Sequence, residues 1–367
     1  SDVDAITIAS NGQLTLTQTL IGTALDISGD IDIDGTSNLD IIDVDGAANF
    51  AADVTIATGA DIITASAGTS NVRIGVNAGD AINSGATFNV FVGDESGTAL
   101  ASGDYNTAVG YQSLESEIGG QSSTAIGYRA LYAQNTSNDN NNTAVGRSAG
   151  LSITSGTNNT LIGGLCGDAL TDADNNVALG NSALGADTLG SRSTALGRSA
   201  LGTQNFTSAT NTYNVAVGYN AAAAVSTGVE NTILGGLAGD ALTTGNENTA
   251  VGLSSIGADT KGKKSVAVGW GTLTNQNFTS ATDAHNTAVG YAAGNDITTG
   301  LENTLIGSNS GDALTDADFN VALGHRALTT DTKGSRSTAI GYNALQTQNF
   351  TSATDTYNTA VGFFAGT

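Results

Sequence analysis

Few side chains in this 367-residue chain have the types and spacing to do chemistry. The densest carboxylate group is Gly167-Asp168-Ala-Leu-Thr-Asp172-Ala-Asp174, and it recurs as Gly311-Asp312-Ala-Leu-Thr-Asp316-Ala-Asp318. Clustered carboxylates are the ligands calcium takes. The middle copy, Gly239-Asp240-Ala-Leu-Thr-Thr-Gly245, lacks two of the acids. The pattern fits neither an EF-hand loop nor the nonapeptide calcium roll, and Asp is an ordinary turn residue. No metal site and no cofactor are assigned; Ca2+ is the ion this pattern, or the Asp-rich stretch Asp30, Asp32, Asp34, Asp43, Asp45, would take.

A second group is a copied segment. Gln204–Thr210 recurs almost verbatim as Gln276–Thr282 and Gln348–Thr354, followed by Tyr213, His285 and Tyr357. As exposed loops, these would offer Phe206 with Thr207, Phe278 with Thr279, and Phe350 with Thr351 to a sugar or another fibre. The alternative is that each Phe folds back over a coil edge or a neighbouring chain. Trp270 stands in a slot that elsewhere holds Tyr, Arg, Leu or His, and it completes the set of candidate binding residues.

Catalysis finds little support. The only histidines, His285 and His325, sit at variable places of a repeat, and no nucleophile–base pair stands out. Glycosidase chemistry needs two carboxylates in a cleft, and a repeat rod offers grooves. No catalytic residue is assigned, and the expectation is a non-enzyme. The single Cys166 allows no intrachain disulfide. It occupies a slot held by Ala238 and Ser310 in sister repeats, which reads as a packed small residue and not as a reactive thiol. Lys261, Lys263 and Lys264, the one basic cluster, read as a solvated turn.

What positions these groups is a repeat. A box, (Asn/Ser)-(Thr/Val)-x-(aliphatic)-Gly, occurs seventeen times, with glycines from Gly75 to Gly362. The glycines are spaced 18, 17, 17 and 19 residues apart, then 17, 17, 17 and 21 three times over, so a 72-residue super-repeat starts at about residue 142. A unit this short suits one coil of a β-solenoid, with two short strands and two turns. In Asn142-Thr143-Ala144-Val145-Gly146, Thr143 and Val145 share one face of a strand and Ala144 takes the other. The fourth position is Ile, Val or Leu in all seventeen boxes, which marks its face as the buried one. The other face is then the one to meet neighbouring chains. Proline is absent, as a ladder of N–H donors between coils requires. Sixteen steps of about 4.8 Å make a rod roughly 77 Å tall.

Charge divides the chain. Residues 1–70 carry eleven Asp and no base, giving −11 of the net −23. They read as an acidic, β-rich shaft, with apolar–acidic alternation over Leu25–Gly35 and Leu39–Gly46 and a hairpin turn at Asn11-Gly12. Residues 71–367 form the repeat domain of seventeen coils. The acidity excludes nucleic acid as a partner, and no apolar run of 18 residues exists to span a membrane.

The boxes Ser265-Val-Ala-Val-Gly269 and Ser337-Thr-Ala-Ile-Gly341 resemble the left-handed parallel β-roll heads of trimeric autotransporter adhesins. The longer unit Asn286-Thr-Ala-Val-Gly-Tyr-Ala-Ala-Gly-Asn-Asp-Ile-Thr-Thr-Gly300 resembles repeats in tail fibres of marine bacteriophages, and Leu25–Ala47 resembles their Asp-rich shafts. The resemblance implies a parallel homotrimer in a virion or extracellular setting. Other tail proteins and a host-surface glycan or protein would be its partners. The expected function is a structural fibre that extends or forms part of the receptor-binding apparatus, with a tip beyond residue 367. A bacterial adhesin head is the alternative, then a polysaccharide-degrading tailspike. Ice binding needs a flat array of outward Thr. The second box position is Thr in eleven boxes and Val in six, and it shares the face read as buried.

Overall fold

The computed structural model describes residues 68–367 and, before them, the strands Ile6–Ile8 and Leu14–Leu16. The chain divides into two units, Ser1–Ile62 and Ile63–Thr367. In the first, the two strands pair antiparallel, Ile6 with Leu16 and Ile8 with Leu14. The hairpin turn expected at Asn11-Gly12, and the alternating stretches Leu25–Gly35 and Leu39–Gly46, lie outside the described residues.

The second unit is a parallel β-solenoid without a helix among its described residues. Each box forms one three-residue strand, from Val72–Ile74 to Thr359–Val361. Every strand pairs in parallel with the next, box position against box position, as Thr143 with Thr160, Ala144 with Leu161 and Val145 with Ile162. The sheet stays open. Val72–Ile74 pairs with Val90–Val92 and Thr359–Val361 with Thr338–Ile340, each on one side.

The box glycines end these strands at φ between 125° and 144°. At Gly146 a Cβ would stand 2.5 Å from the carbonyl oxygen of Gly163 in the next coil, so both the conformation and the stacking distance require glycine.

A second strand per coil does not form. After each box the chain alternates in handedness, as at Ser182 and Leu184, both with φ 54°. Alternation between right- and left-handed residues makes a chain of turns and not a pleat. These turns still donate to the next coil, Gly167 N to Ala183 O at 3.0 Å and Leu184 N to Ala200 O at 3.0 Å. Three coils add a two-residue strand pair, such as Gly190–Ser191 with Thr210–Asn211.

The coil interior is filled by the third box position, not the fourth. Ala144, Leu161 and Ala178 are fully buried, while the flanking strand residues lie on the outside. The interior is narrow, so a large residue at one wall needs a small one opposite. Leu161 faces Gly150 and Gly167, where a Cβ would approach its methyl carbons to 3.0 and 2.8 Å. Where the third position is Ala178, the corresponding turn residue is Leu184, also buried. Matched volume is what a close-packed interior demands.

Beside this apolar column runs a buried ladder of amides. Asn159 N donates to Asn142 Oδ1 at 2.9 Å, and Asn159 Nδ2 donates to Ala173 O at 2.8 Å. Asn176 repeats both bonds one coil on, at 3.0 Å each. An Asn at the first box position thus closes its own turn and satisfies its neighbour's backbone. At the first level the third position is Arg73, half-buried, whose Nε donates to Ala78 O at 2.5 Å. A polar end of this kind suits a terminal repeat.

Candidate functional site

The inversion of the strand faces changes which residues can meet a partner. The invariant aliphatic position points outward, beside the Thr or Val of the second position. Leu179 is 50% exposed, and most other members of the column are half-buried by their neighbours above and below. Seventeen aliphatic side chains therefore line one outer face of the stack. The Thr residues share this outward face, so burial does not argue against an ice-binding array. The six Val substitutions and the adjoining aliphatic column are what interrupt it.

Two columns border the face. The upstream column holds the residue before each box, and all seventeen have φ between 49° and 65°. Tyr213, 50% exposed, His285 and Tyr357, 70% exposed, stand here. Phe88 stacks on Tyr105 at 5.5 Å, and Arg336 lies between Phe319 and Tyr357 at 4.6 and 6.0 Å. The downstream column holds the residue after each box glycine. Trp270 stacks on Tyr291 at 4.9 Å, His325 on Tyr342 at 5.2 Å, and Tyr111 on Tyr128 at 5.9 Å. The carboxylate of Glu95 beside Tyr111 pushes that phenol up. Trp270 is exposed, and its stacking on Tyr291 was not read from the sequence.

The copied segments are anchored from within. Phe206 and Phe278 are buried and Phe350 is half-buried; the Phe278 and Phe350 rings lie against Gly262 and Gly334, where a Cβ would meet them at 2.9 Å. The rings fold back over the coil edge and are not offered to a ligand, because a buried carboxylate holds the backbone there. Asp187 Oδ1 accepts from Phe206 N at 3.1 Å and from Gly190 N at 3.1 Å, and its Oδ2 accepts from Gln204 Nε2 at 2.5 Å. Asp259 and Asp331 hold Phe278 N and Phe350 N in the same way.

Gln204 also donates to Ser193 Oγ at 2.8 Å and accepts from Asn214 Nδ2 at 2.8 Å. Ser replaces Asn in the ladder at this level, and the glutamine spans the gap. These Asp and Gln residues were not singled out from the sequence, since the pair lies seventeen residues apart. Thr207, Thr279 and Thr351 are exposed, and they are the part of the copied loop that a ligand can reach.

The acidic clusters are parts of turns. Asp174 Oδ1 accepts from Thr157 N at 2.7 Å, joining two coils. The hydroxyls of Ser155 and Thr154, at 2.5 and 2.9 Å, hold the Asp172 carboxyl below its usual range. Burial pushes Asp168, Asp240 and Asp318 up. Among the described residues no three His, Cys, Asp or Glu side chains converge as a metal would need. Lys264 pairs with Asp283 at 2.7 Å. Cys166 is buried and its Sγ donates to Ala178 O at 3.2 Å. A cavity of about 670 Å³ lies at the last coil, between Leu345, Gln348, Phe350 and Ala360. Among the described residues no helix is long and apolar enough to cross a membrane.

Comparison with protein-family models, with curated proteins and with solved structures gave no match.

Proposed function

We propose that the chain is a structural, non-enzymatic part of a trimeric fibre of a phage tail or virion, in an extracellular setting. It extends the apparatus that binds a host-surface glycan or protein, and further tail proteins join it. One observation carries this reading: an unbroken stack of seventeen parallel strands with an aliphatic residue facing outward at every level. Three residues along each strand span about 10 Å, and sixteen steps rise about 77 Å. A face of roughly 770 Å² per chain is close to the ~800 Å² per partner of a standard stable interface. An exposed apolar face of that size calls for a partner, and identical chains supply a matching surface at every level. Stacked ladders make the assembly a stiff spacer, and the Thr207, Thr279 and Thr351 loops would add weak contacts that three chains multiply.

Light scattering of the purified chain tests the assembly. The expected mass is three times 36.3 kDa, in particles that are rods by negative-stain microscopy. A monomer refutes the reading. Immunogold labelling of phage particles with an antibody raised against the chain tests the virion placement.

A further inference from the structure

The two columns that border the aliphatic face carry matched chemistry at seven of the seventeen levels, while Phe88 stands opposite Asp94. Members of one level stand six residues apart, on either side of a three-residue strand, and no ring contact joins two of them within the chain. Rings nevertheless occur at both ends of the same strands: Tyr105 with Tyr111, Tyr213 with Tyr219, His285 with Tyr291. The same holds for Phe319 with His325 and for Tyr357 with Phe363. Two further levels set a cation opposite a ring, Lys264 with Trp270 and Arg336 with Tyr342. Of the eight rings in the downstream column only Tyr128 faces neither, having Ser122 at its level.

From this we infer that three copies of the chain close in parallel and in register, the upstream column of each packing on the downstream column of the next at equal height. The inference rests on the trimeric reading and adds which surfaces meet, and where. A closed threefold axis has rotation without rise, so equal residues share a height. The outward aliphatic and Thr/Val side chains then fill the centre, and column meets column where neighbouring chains adjoin. Most of these rings are about half exposed, partly covered by ring or guanidinium neighbours along the column, and Tyr357 and Phe363 at the last level are more open. Offset and edge-to-face ring contacts suit such a seam.

One level opposes like charges, Arg192 with Arg198. Both guanidiniums already lie over rings of their own chain, Tyr213 at 5.8 Å and Tyr219 at 5.6 Å. The inference withdraws Tyr213, Trp270, His285 and Tyr357 from receptor contact and leaves Thr207, Thr279 and Thr351 on the outside.

Disulfide trapping in the full chain reads the seam directly. Cys166 is buried, so it does not compete. Under mild oxidation the pair Tyr105→Cys/Tyr111→Cys, and separately Phe319→Cys/His325→Cys, should run as a covalent trimer on a non-reducing denaturing gel. Each single substitution should stay monomeric. The pair Tyr105→Cys/Tyr128→Cys, one level out of step, should crosslink at least tenfold more slowly. A monomer by light scattering before oxidation overturns the trimeric reading and this inference together. A trimer overturns the inference alone if it traps no bond at either seam, traps the out-of-step pair faster, or yields covalent dimers only.

Discussion

Cys166 gives the sharpest quantitative test of the coil interior. Its thiol is buried, and burial pushes its pKa up to about 12. An unfolded thiol titrates near 8.5. The folded value lies above the unfolded one, so the thiol's contribution is intact below about pH 8.5 and is lost as the pH rises towards 12. Each pH unit in that window costs about 1.4 kcal/mol. At pH 10.5, two units in, the native chain should have lost about 2.7 kcal/mol to this one group.

Cys166→Ser removes the effect without breaking the packing. Ser310 fills the equivalent place, and its Oγ donates to Ala322 O at 2.9 Å, as Cys166 does to Ala178 O. At pH 7 the variant should match the parent within about 1 kcal/mol, the scale of one exchanged hydrogen bond. At pH 10.5 it should be the more stable by about 2–3 kcal/mol. Urea unfolding of both chains at the two pH values measures the difference, in which the shared titrations of Tyr and Lys cancel. A parent–variant gap that is the same at both pH values would falsify the claim that the fold holds this thiol protonated. A thiol reagent that labels the native chain as fast as the unfolded one would refute it independently.

Leu161→Ala should cost about 2–5 kcal/mol, because the walls at Gly150 and Gly167 carry no side chain to collapse into the space; urea unfolding reads it. Gln276→Ala should cost about 1–3 kcal/mol by unpairing buried Asp259, Ser265 and Asn286, whereas Thr279→Ala, in the exposed part of the same loop, should stay within about 0.5 kcal/mol. Ile256→Leu should raise stability by about 0.5–1 kcal/mol, since Ile256 is β-branched at φ 51° where sister coils place Leu184 and Leu201; an unchanged or lower melting temperature counts against this.

The repeat made the solenoid legible, since the boxes mark a strand in each coil and their spacing the step between coils, although the second strand expected in each coil does not form. Which face is inside was not legible, and the reason lies in two kinds of regularity. Beyond Arg73 at the first level, the third box position varies among Ala, Leu, Ile and Phe, and the change is answered across the coil: Leu161 by Gly167, Ala178 by Leu184. Interior packing conserves volume at a level, not identity along the column. The fourth position never leaves the aliphatic class although it has solvent on one side. A half-exposed surface position escapes the volume constraint of a core, so its uniformity has to come from something else that runs the length of the stack.

The copied loops invert the same lesson. Gln204 and Phe206 recur because Asp187 and Ser193 hold them from inside, a contact across seventeen and eleven residues that no local pattern exposes. Recurrence in the loops therefore reports anchoring and says nothing about a ligand. Recurrence on the outward face has no such anchor within the chain. Uniform, apolar and unanswered by any residue of its own coil, that face is where the proposed second and third copies would account for what one chain leaves unexplained.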